Sequence, residues 1–201
     1  MFESLGRQLR KPSGFYGKLV SRMMNKRNKM AYERIIHELN IKSGEKVFEI
    51  GYGPGLGISL IANSIESCSI SGIDFSELMY QEALKRNKKF VESGIVHLQF
   101  GDFLTQESVD EKYDKVFCLN VIYFWSDLNF AFRKIHSLLN NDGIFCIFMT
   151  HKDELEATSF TNLAKDFNKY SIESVETELM SAGFQSVEYF MDKGYFIKAI
   201  K

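Results

Sequence analysis

The chain has 201 residues, 45% apolar and 25% charged, which is enough to bury one core and too few for two full-sized domains. A net charge of -1 excludes a polycation that coats nucleic acid through bulk charge, so no nucleic-acid partner is expected. The longest apolar run, Ile144 to Met149, is far shorter than the roughly 20 residues a membrane-spanning helix needs.

The even balance hides an asymmetry. Nine cations between Arg7 and Arg34 face two acids, Glu3 and Glu33, a local balance of +7, while the rest of the chain carries -8. That shift marks residues 1–42 as a basic, helical N-terminal arm and residues 43–201 as the main domain. Tyr16, Leu19, Met23, Met24 and Met30 sit among the arm's cations. They suit either a greasy lid over the strand ends beside Tyr123, Phe124 and Trp125, or peripheral contact with an acidic membrane surface. The start Met1-Phe2-Glu3-Ser4 has no apolar stretch of a secretory signal, so a cytoplasmic address is expected. Cys68, Cys118 and Cys146 are widely spaced and odd in number, which fits buried, reduced residues rather than a metal site or a disulfide framework.

Beyond the arm, short apolar runs alternate with helical periodicity. Strands are predicted at Lys46–Ile50, Ser69–Asp74, Val96–Phe100, Val116–Asn120 and Ile144–Thr150. Helices are predicted from Ile58 to Ser64, Ser76 to Val91, Asp127 to Leu139 and Ser174 to Ala182, the last stopped by Gly183. Asn140 to Gly143 reads as a turn, and Asp192-Lys193-Gly194 joins two final strands, Ser186–Met191 and Tyr195–Ile200, as a hairpin. The fold class is therefore α/β: a doubly wound, Rossmann-like, seven-stranded, mostly parallel sheet with a C-terminal antiparallel hairpin and an N-terminal helical arm.

In such sheets ligands bind beyond the carboxyl ends of the strands. After the first strand stand Gly51, Gly53 and Gly55, whose register fits neither Gly-x-Gly-x-x-Gly nor a phosphate loop. Glu49 at the strand end would repel a pyrophosphate and favours a cationic cofactor. Asp74 ends the second strand, placed to accept two ribose hydroxyls or to cap the next helix. Asp102 and Phe103 follow the third strand, suited to an adenine edge and ring or to a simple turn. After the fourth come Asn120 and the aromatic run Tyr123-Phe124-Trp125, a candidate pocket wall.

The run Val47-Phe48-Glu49-Ile50-Gly51-Tyr52-Gly53-Pro54-Gly55 resembles the first motif of the class I S-adenosylmethionine-dependent methyltransferases, a resemblance covering about Glu45 to Lys201. It implies S-adenosylmethionine as cofactor, with the glycine-loop backbone on the methionine part and Glu49 holding its amino end. It implies Asp74 on the ribose hydroxyls, Phe75 and Met79 on the ribose and adenine, Asp102 and Phe103 on the adenine edge, and Asn120 toward the methionine amino group. Leu139-Asn140-Asn141-Asp142-Gly143 is similar to the family's Leu-x-Pro-Gly-Gly turn without its proline and one glycine, a departure expected to lie far from the cofactor.

Asn120-Val121-Ile122-Tyr123 lacks the Asp/Asn-Pro-Pro-Tyr/Phe of enzymes that methylate base or glutamine nitrogen. The layout is most similar to the small-molecule branch, which includes quinone-biosynthesis enzymes. Arsenite methylation would want thiols near the sulfonium, whereas Cys118 falls within a strand. Tyr123 and His151 are the candidate bases; His97 and His136 read as structural. Two other readings stand beside the methyltransferase: a cofactor-binding protein without catalysis, and a nicotinamide-dependent oxidoreductase, which the glycine spacing disfavours.

Overall fold

The structure, a computed structural model, describes residues 28–106, 111–157 and 167–201. Residues 28–39 form α1, followed by β1 (Lys46–Ile50), α2 (Leu56–Ser64), β2 (Ser69–Asp74), α3 (Glu77–Arg86), α4 (Lys88–Glu92) and β3 (Val96–Phe100). Next come β4 (Tyr113–Leu119), a single 3-10 turn (Ile122–Phe124), α5 (Leu128–Leu138), β5 (Leu139–Met149) and α6 (Lys152–Ala157). The chain ends with α7 (Ile172–Ser181), β6 (Ser186–Met191) and β7 (Tyr195–Ile200).

The seven strands lie in the order β3-β2-β1-β4-β5-β7-β6. β1 to β5 run parallel, and β7 is antiparallel to both β5 and β6. The chain leaves β1 toward one edge and returns to β4 on its other side. The topological switch point therefore falls between the carboxyl ends of β1 and β4.

Side chains alternate across this sheet and found two cores. Phe48, Ile50, Val116, Cys118, Phe145 and Ile147 face α5 and α7, where Phe132, Ile135, Val175 and Leu179 meet them. Val47, Ile70, Phe117, Leu119, Cys146 and Phe148 face α2, with Ile58 and Ile61, and α1, with Tyr32, Ile35 and Leu39. Burial on both faces explains why β1 and β4 read as nearly continuous apolar runs. All three cysteines are free thiols inside these cores.

Several boundaries differ from the sequence reading, each for a physical reason. The predicted helix from Ser76 to Val91 is two helices, broken at Asn87 (φ -102°, ψ 15°). The Asn87 amide donates to the Ala83 carbonyl at 3.0 Å and to the Gly55 carbonyl at 3.1 Å, a side-chain bond that competes with the helix. Ser76 caps α3 as expected, its hydroxyl accepting the Met79 N–H. α2 starts at Leu56, two residues early, with Gly55 in the left-handed conformation (φ 75°) at its N-cap. The predicted turn from Asn140 to Gly143 lies inside β5, which begins at Leu139 directly after α5. The β4–β5 register slips between Tyr113 and Lys115, Asp142 takes φ 60°, and Asn140 donates to Asp114 Oδ1 at 2.7 Å, so the extra residues form an irregularity rather than a loop. It sits at the amino end of β5, away from the switch point.

Of the arm, Tyr16, Leu19, Met23 and Met24 lie outside the described residues. Met30 is 56% exposed and does not cover the post-β4 aromatics. The docking face of α1 is instead Ala31, Tyr32, Ile35 and Leu39, at helical spacing, and it lies on the α2 side of the sheet. Arg34 adds a cation–π contact, 4.7 Å from the Phe190 ring of β6.

Asn87→Asp keeps the shape of this buried side chain but replaces its donor with an oxygen facing two carbonyls. Urea unfolding should show a loss of about 2 kcal/mol or more. An unchanged midpoint would refute the role given to the Asn87 amide.

Candidate functional site

Four strand ends meet at the switch point, and the loop after β1 sits at its centre. Gly53 takes φ 52°, and a Cβ there would meet nothing within 4 Å, so its backbone faces open space. Gly55 is glycine for the opposite reason: a Cβ would stand 2.5 Å from Asn87 Nδ2. Gly51 lies against Val121 of the post-β4 turn, where a Cβ would meet Val121 Cγ2 at 2.5 Å. The loop is tied down from outside. Gly53 N–H donates to Asp74 Oδ2 at 2.8 Å, Arg86 Nε donates to the Pro54 carbonyl at 2.8 Å, and Asn87 holds the Gly55 carbonyl. Tyr52 is buried, and its hydroxyl donates to the Gln99 carbonyl of β3 at 2.9 Å.

Glu49 stands one residue before the end of β1 and is 0% exposed. Among the described residues, neither carboxylate oxygen has a close hydrogen bond or a cationic partner, and the donors turned toward them are the Tyr32 hydroxyl and the Ile58 amide. Burial pushes its pKa from 4.5 to about 8; the Tyr32 hydroxyl and Ile58 amide pull the other way, and the Asp74 charge adds to the rise. Gly57 makes the necessary room, because a Cβ there would stand 2.7 Å from Glu49 Oε2 and 2.6 Å from Tyr32 Cε1. A buried acid without a cationic partner is costly to the fold.

Asp74 is 7% exposed, and burial raises its pKa to about 6 against the pull of the Ser76 and Gly53 amides. Its Oδ1 accepts Ser76 N–H at 2.8 Å, so it also shapes the start of α3. Phe75 is half-buried beside it, and Met79 is buried one turn on. Asp102 is exposed, and its Oδ1 accepts Leu104 N–H at 2.9 Å. The Phe103 ring is buried between Phe48 and Trp125, with Lys134 Nζ 5.1 Å from its centre.

At the end of β4, Asn120 adopts φ 55°. Its Oδ1 accepts the Tyr123 hydroxyl at 3.1 Å and the Thr150 hydroxyl at 3.2 Å. The Thr150 N–H in turn donates to the Tyr123 oxygen at 2.5 Å. Burial drives the Tyr123 pKa upward, so this hydroxyl stays protonated. Phe167 stacks on Tyr123 at 4.7 Å and stands edge-on to Phe124 at 5.5 Å. Asn168 latches this corner, its side-chain amide donating to the Tyr123 and Trp125 carbonyls, each at 3.0 Å. His151, after β5, is stacked on Tyr195 at 5.2 Å, and its Nδ1 accepts Asp153 N–H at 3.1 Å.

The fold thus brings Glu49, the glycine loop and Asp74 to one end of the sheet, with Asn120 and Tyr123 beside them. Tyr32, Arg86, Asn87 and Asn168 were missed by sequence reading. A helix-breaking asparagine inside an apolar periodicity was the one available signal; the others act across 17 to 45 residues of chain with no local signature.

Comparison with known proteins agrees with this geometry. Residues 48–145 match the family described as Methyltransferase domain. A protein of Bacillus subtilis (strain 168) named as a methyltransferase, YrhH, is 29% identical over 81% of this chain and 88% of its own length. A protein of Papaver bracteatum named as an (S)-tetrahydroprotoberberine N-methyltransferase is 24% identical over 75% of this chain and 41% of its own. The fold superposes on phosphoethanolamine N-methyltransferase 2 of Haemonchus contortus in complex with S-adenosyl-L-methionine, with a TM-score of 0.72 and 18% identity, over 85% of this chain and 52% of that one. Over residues 48–145 the chain is similar to the methyltransferase family, and its fold is that of S-adenosylmethionine-dependent methyltransferases.

Proposed function

We propose that the chain methylates a small apolar or amphipathic molecule held against the aromatic corner at the ends of β4 and β5. The observation that carries this reading is the packing of Tyr123, Phe124 and Phe167 beside the polar Asn120–Thr150 pair. The name of the Papaver bracteatum relative, an (S)-tetrahydroprotoberberine N-methyltransferase, supports a small-molecule acceptor.

The residues present fit the cofactor. Among the described residues Glu49 is a buried carboxylate without a cationic partner, which suits a site for the cofactor's amino end. The Gly53 backbone faces open space that can receive the methionine part. Asp74 keeps spare lone pairs for the ribose hydroxyls. Phe75 and Met79 suit the ribose and adenine, Asp102 and the Phe103 backbone the adenine edge, and Asn120 the methionine side. When bound, S-adenosylmethionine supplies an electrophilic methyl group on a sulfonium.

Neither candidate base is free to act as one. Tyr123 is held protonated, and its hydroxyl orients Asn120. The Nδ1 of His151 already accepts Asp153 N–H, a bond that competes with any proton it would take from an acceptor. The chain therefore contributes alignment, worth up to about 7–11 kcal/mol in favourable systems, and exclusion of water. The acceptor brings its own lone pair, as an amine or an already ionised oxygen does.

Three outcomes test this reading. In calorimetry the chain should bind S-adenosylhomocysteine, and Asp74→Asn, which keeps one oxygen for Gly53, should weaken binding about tenfold or more; equal affinity would exclude Asp74 from the ribose site. With an acceptor found from a panel of amines and phenols, His151→Gln should keep turnover within about tenfold, whereas loss of a general base costs about 10²–10⁴. The third concerns stability. Below pH 4.5 Glu49 is protonated in both states, and its share of stability is lost as pH rises toward about 8, because only the unfolded chain ionises freely. Ligand-free Glu49→Gln should therefore melt well above the parent at pH 9 and close to it at pH 4. Equal melting temperatures at pH 9 would mean that Glu49 is not held in an unfavourable site.

A further inference from the structure

The two oxygens of Glu49 have no accessible surface, so an incoming ammonium cannot touch them in this arrangement. The chamber around them has identifiable walls. Ile58 and Gly57 of α2 close one side, and Tyr32 of α1 lies across Gly57 at the same point as Glu49 Oε2. The Tyr32 ring is itself buried, and its hydroxyl faces the carboxylate and eases its ionisation. The other titratable groups facing Glu49 are Tyr52 of the glycine loop, Asp74 of β2 and Cys118 of β4. None of these brings a positive charge. Tyr32 alone among them belongs to an element outside the strands and their connecting loops, and α1 is held to the body by an apolar face and the Arg34–Phe190 contact rather than by the sheet ladder.

We propose that Tyr32 is a positioning residue of the cofactor site: its ring closes the chamber around Glu49, its hydroxyl steadies the carboxylate for the cofactor's ammonium, and α1 shifts when the cofactor enters. This rests on the reading that the amino end of S-adenosylmethionine meets Glu49. Two side chains from opposite ends of the motif then act on one cation. Glu49 supplies the charge. Tyr32 sets the ease with which the carboxyl ionises and covers the pair from water. Tyr32→Phe preserves the ring and removes only the hydroxyl, so it separates the polar role from packing.

The probe is S-adenosylhomocysteine, titrated calorimetrically into the full chain between pH 6.5 and 7.5, where its amino group is still largely a cation. Because Glu49 must give up a proton to pair, affinity of the parent protein should rise about five- to tenfold across that unit. Glu49→Gln should flatten the dependence. Tyr32→Phe should keep the slope but bind at least about threefold more weakly at each pH, because its carboxyl ionises less readily. Hydrogen exchange on the unmutated chain adds a second readout: amides of residues 28–39 should change rate by about threefold or more on saturation with the probe. Tyr32→Phe indistinguishable from the parent at every pH, or α1 amides unmoved by the ligand, would overturn the inference while leaving the cofactor reading intact. No binding by the parent chain at any pH would overturn the cofactor reading itself.

Discussion

A carboxylate sealed from water with no cation beside it among the described residues costs a fold stability, and the surrounding architecture is organised about one such group. Glu49 stands one residue before the end of β1, beside β4, at the point where the sheet's connections reverse direction, the place where parallel α/β sheets leave a crevice. A neutral or aliphatic residue there would be cheaper. Its retention in a chamber walled by Gly57, Ile58 and Tyr32 makes sense when a cation is the missing partner, since a buried ion becomes tolerable only in a pair. The penalty is stored in the ligand-free state and released on binding, which favours a cationic cofactor over an anionic dinucleotide. The glycine spacing, which fails the dinucleotide pattern, points the same way.

Around that acid, rigidity is supplied from a distance. Asp74 serves two amides at once and so joins the glycine loop to the start of α3, while Arg86 and Asn87 grip the same loop by its carbonyls. The helix pays with a break at Asn87, and the loop gains a fixed backbone at Gly53. Across the switch point, Asn120 is held by Tyr123 and Thr150, and Asn168 pins the aromatic turn. The β1–β2 side of the switch point is thus built from charge and backbone, and the β4–β5 side from rings and one amide, which suits the proposed division between cofactor and acceptor. That division matches a reaction in which alignment of two reactants contributes more than proton transfer.

Much of this was legible in the sequence. Short runs bounded by polar turns marked the parallel strands, by burial on both faces in the inner strands and by alternation in the edge strand β3, and Asp192-Lys193-Gly194 marked the hairpin. Glu49, Asp74, Asp102 and Asn120 were legible because strand ends are where such sheets place ligands. What was not legible depends on contacts between distant segments. The start of β4 three residues early follows from Asp114 bonding Lys46 and Asn140, and the merging of Asn140 to Gly143 into β5 follows from the same carboxylate. Met30 is exposed because the buried stripe of α1 runs through Ala31, Tyr32, Ile35 and Leu39. The aromatic at Phe103 read as a ligand platform, yet core packing with Phe48 and Trp125 claims its ring.

The central claim is that Glu49 waits, unpaired and hard to ionise, for the cationic end of the cofactor. Carbon-13 NMR titration of the Glu49 carboxyl, with Glu49→Gln for assignment, measures this directly. In the ligand-free chain its pKa should lie at about 8, and saturation with S-adenosylhomocysteine should bring it down into the ordinary carboxylate range, around 4 to 5. A value near 4.5 without ligand, or one that the ligand leaves unmoved, would contradict the account.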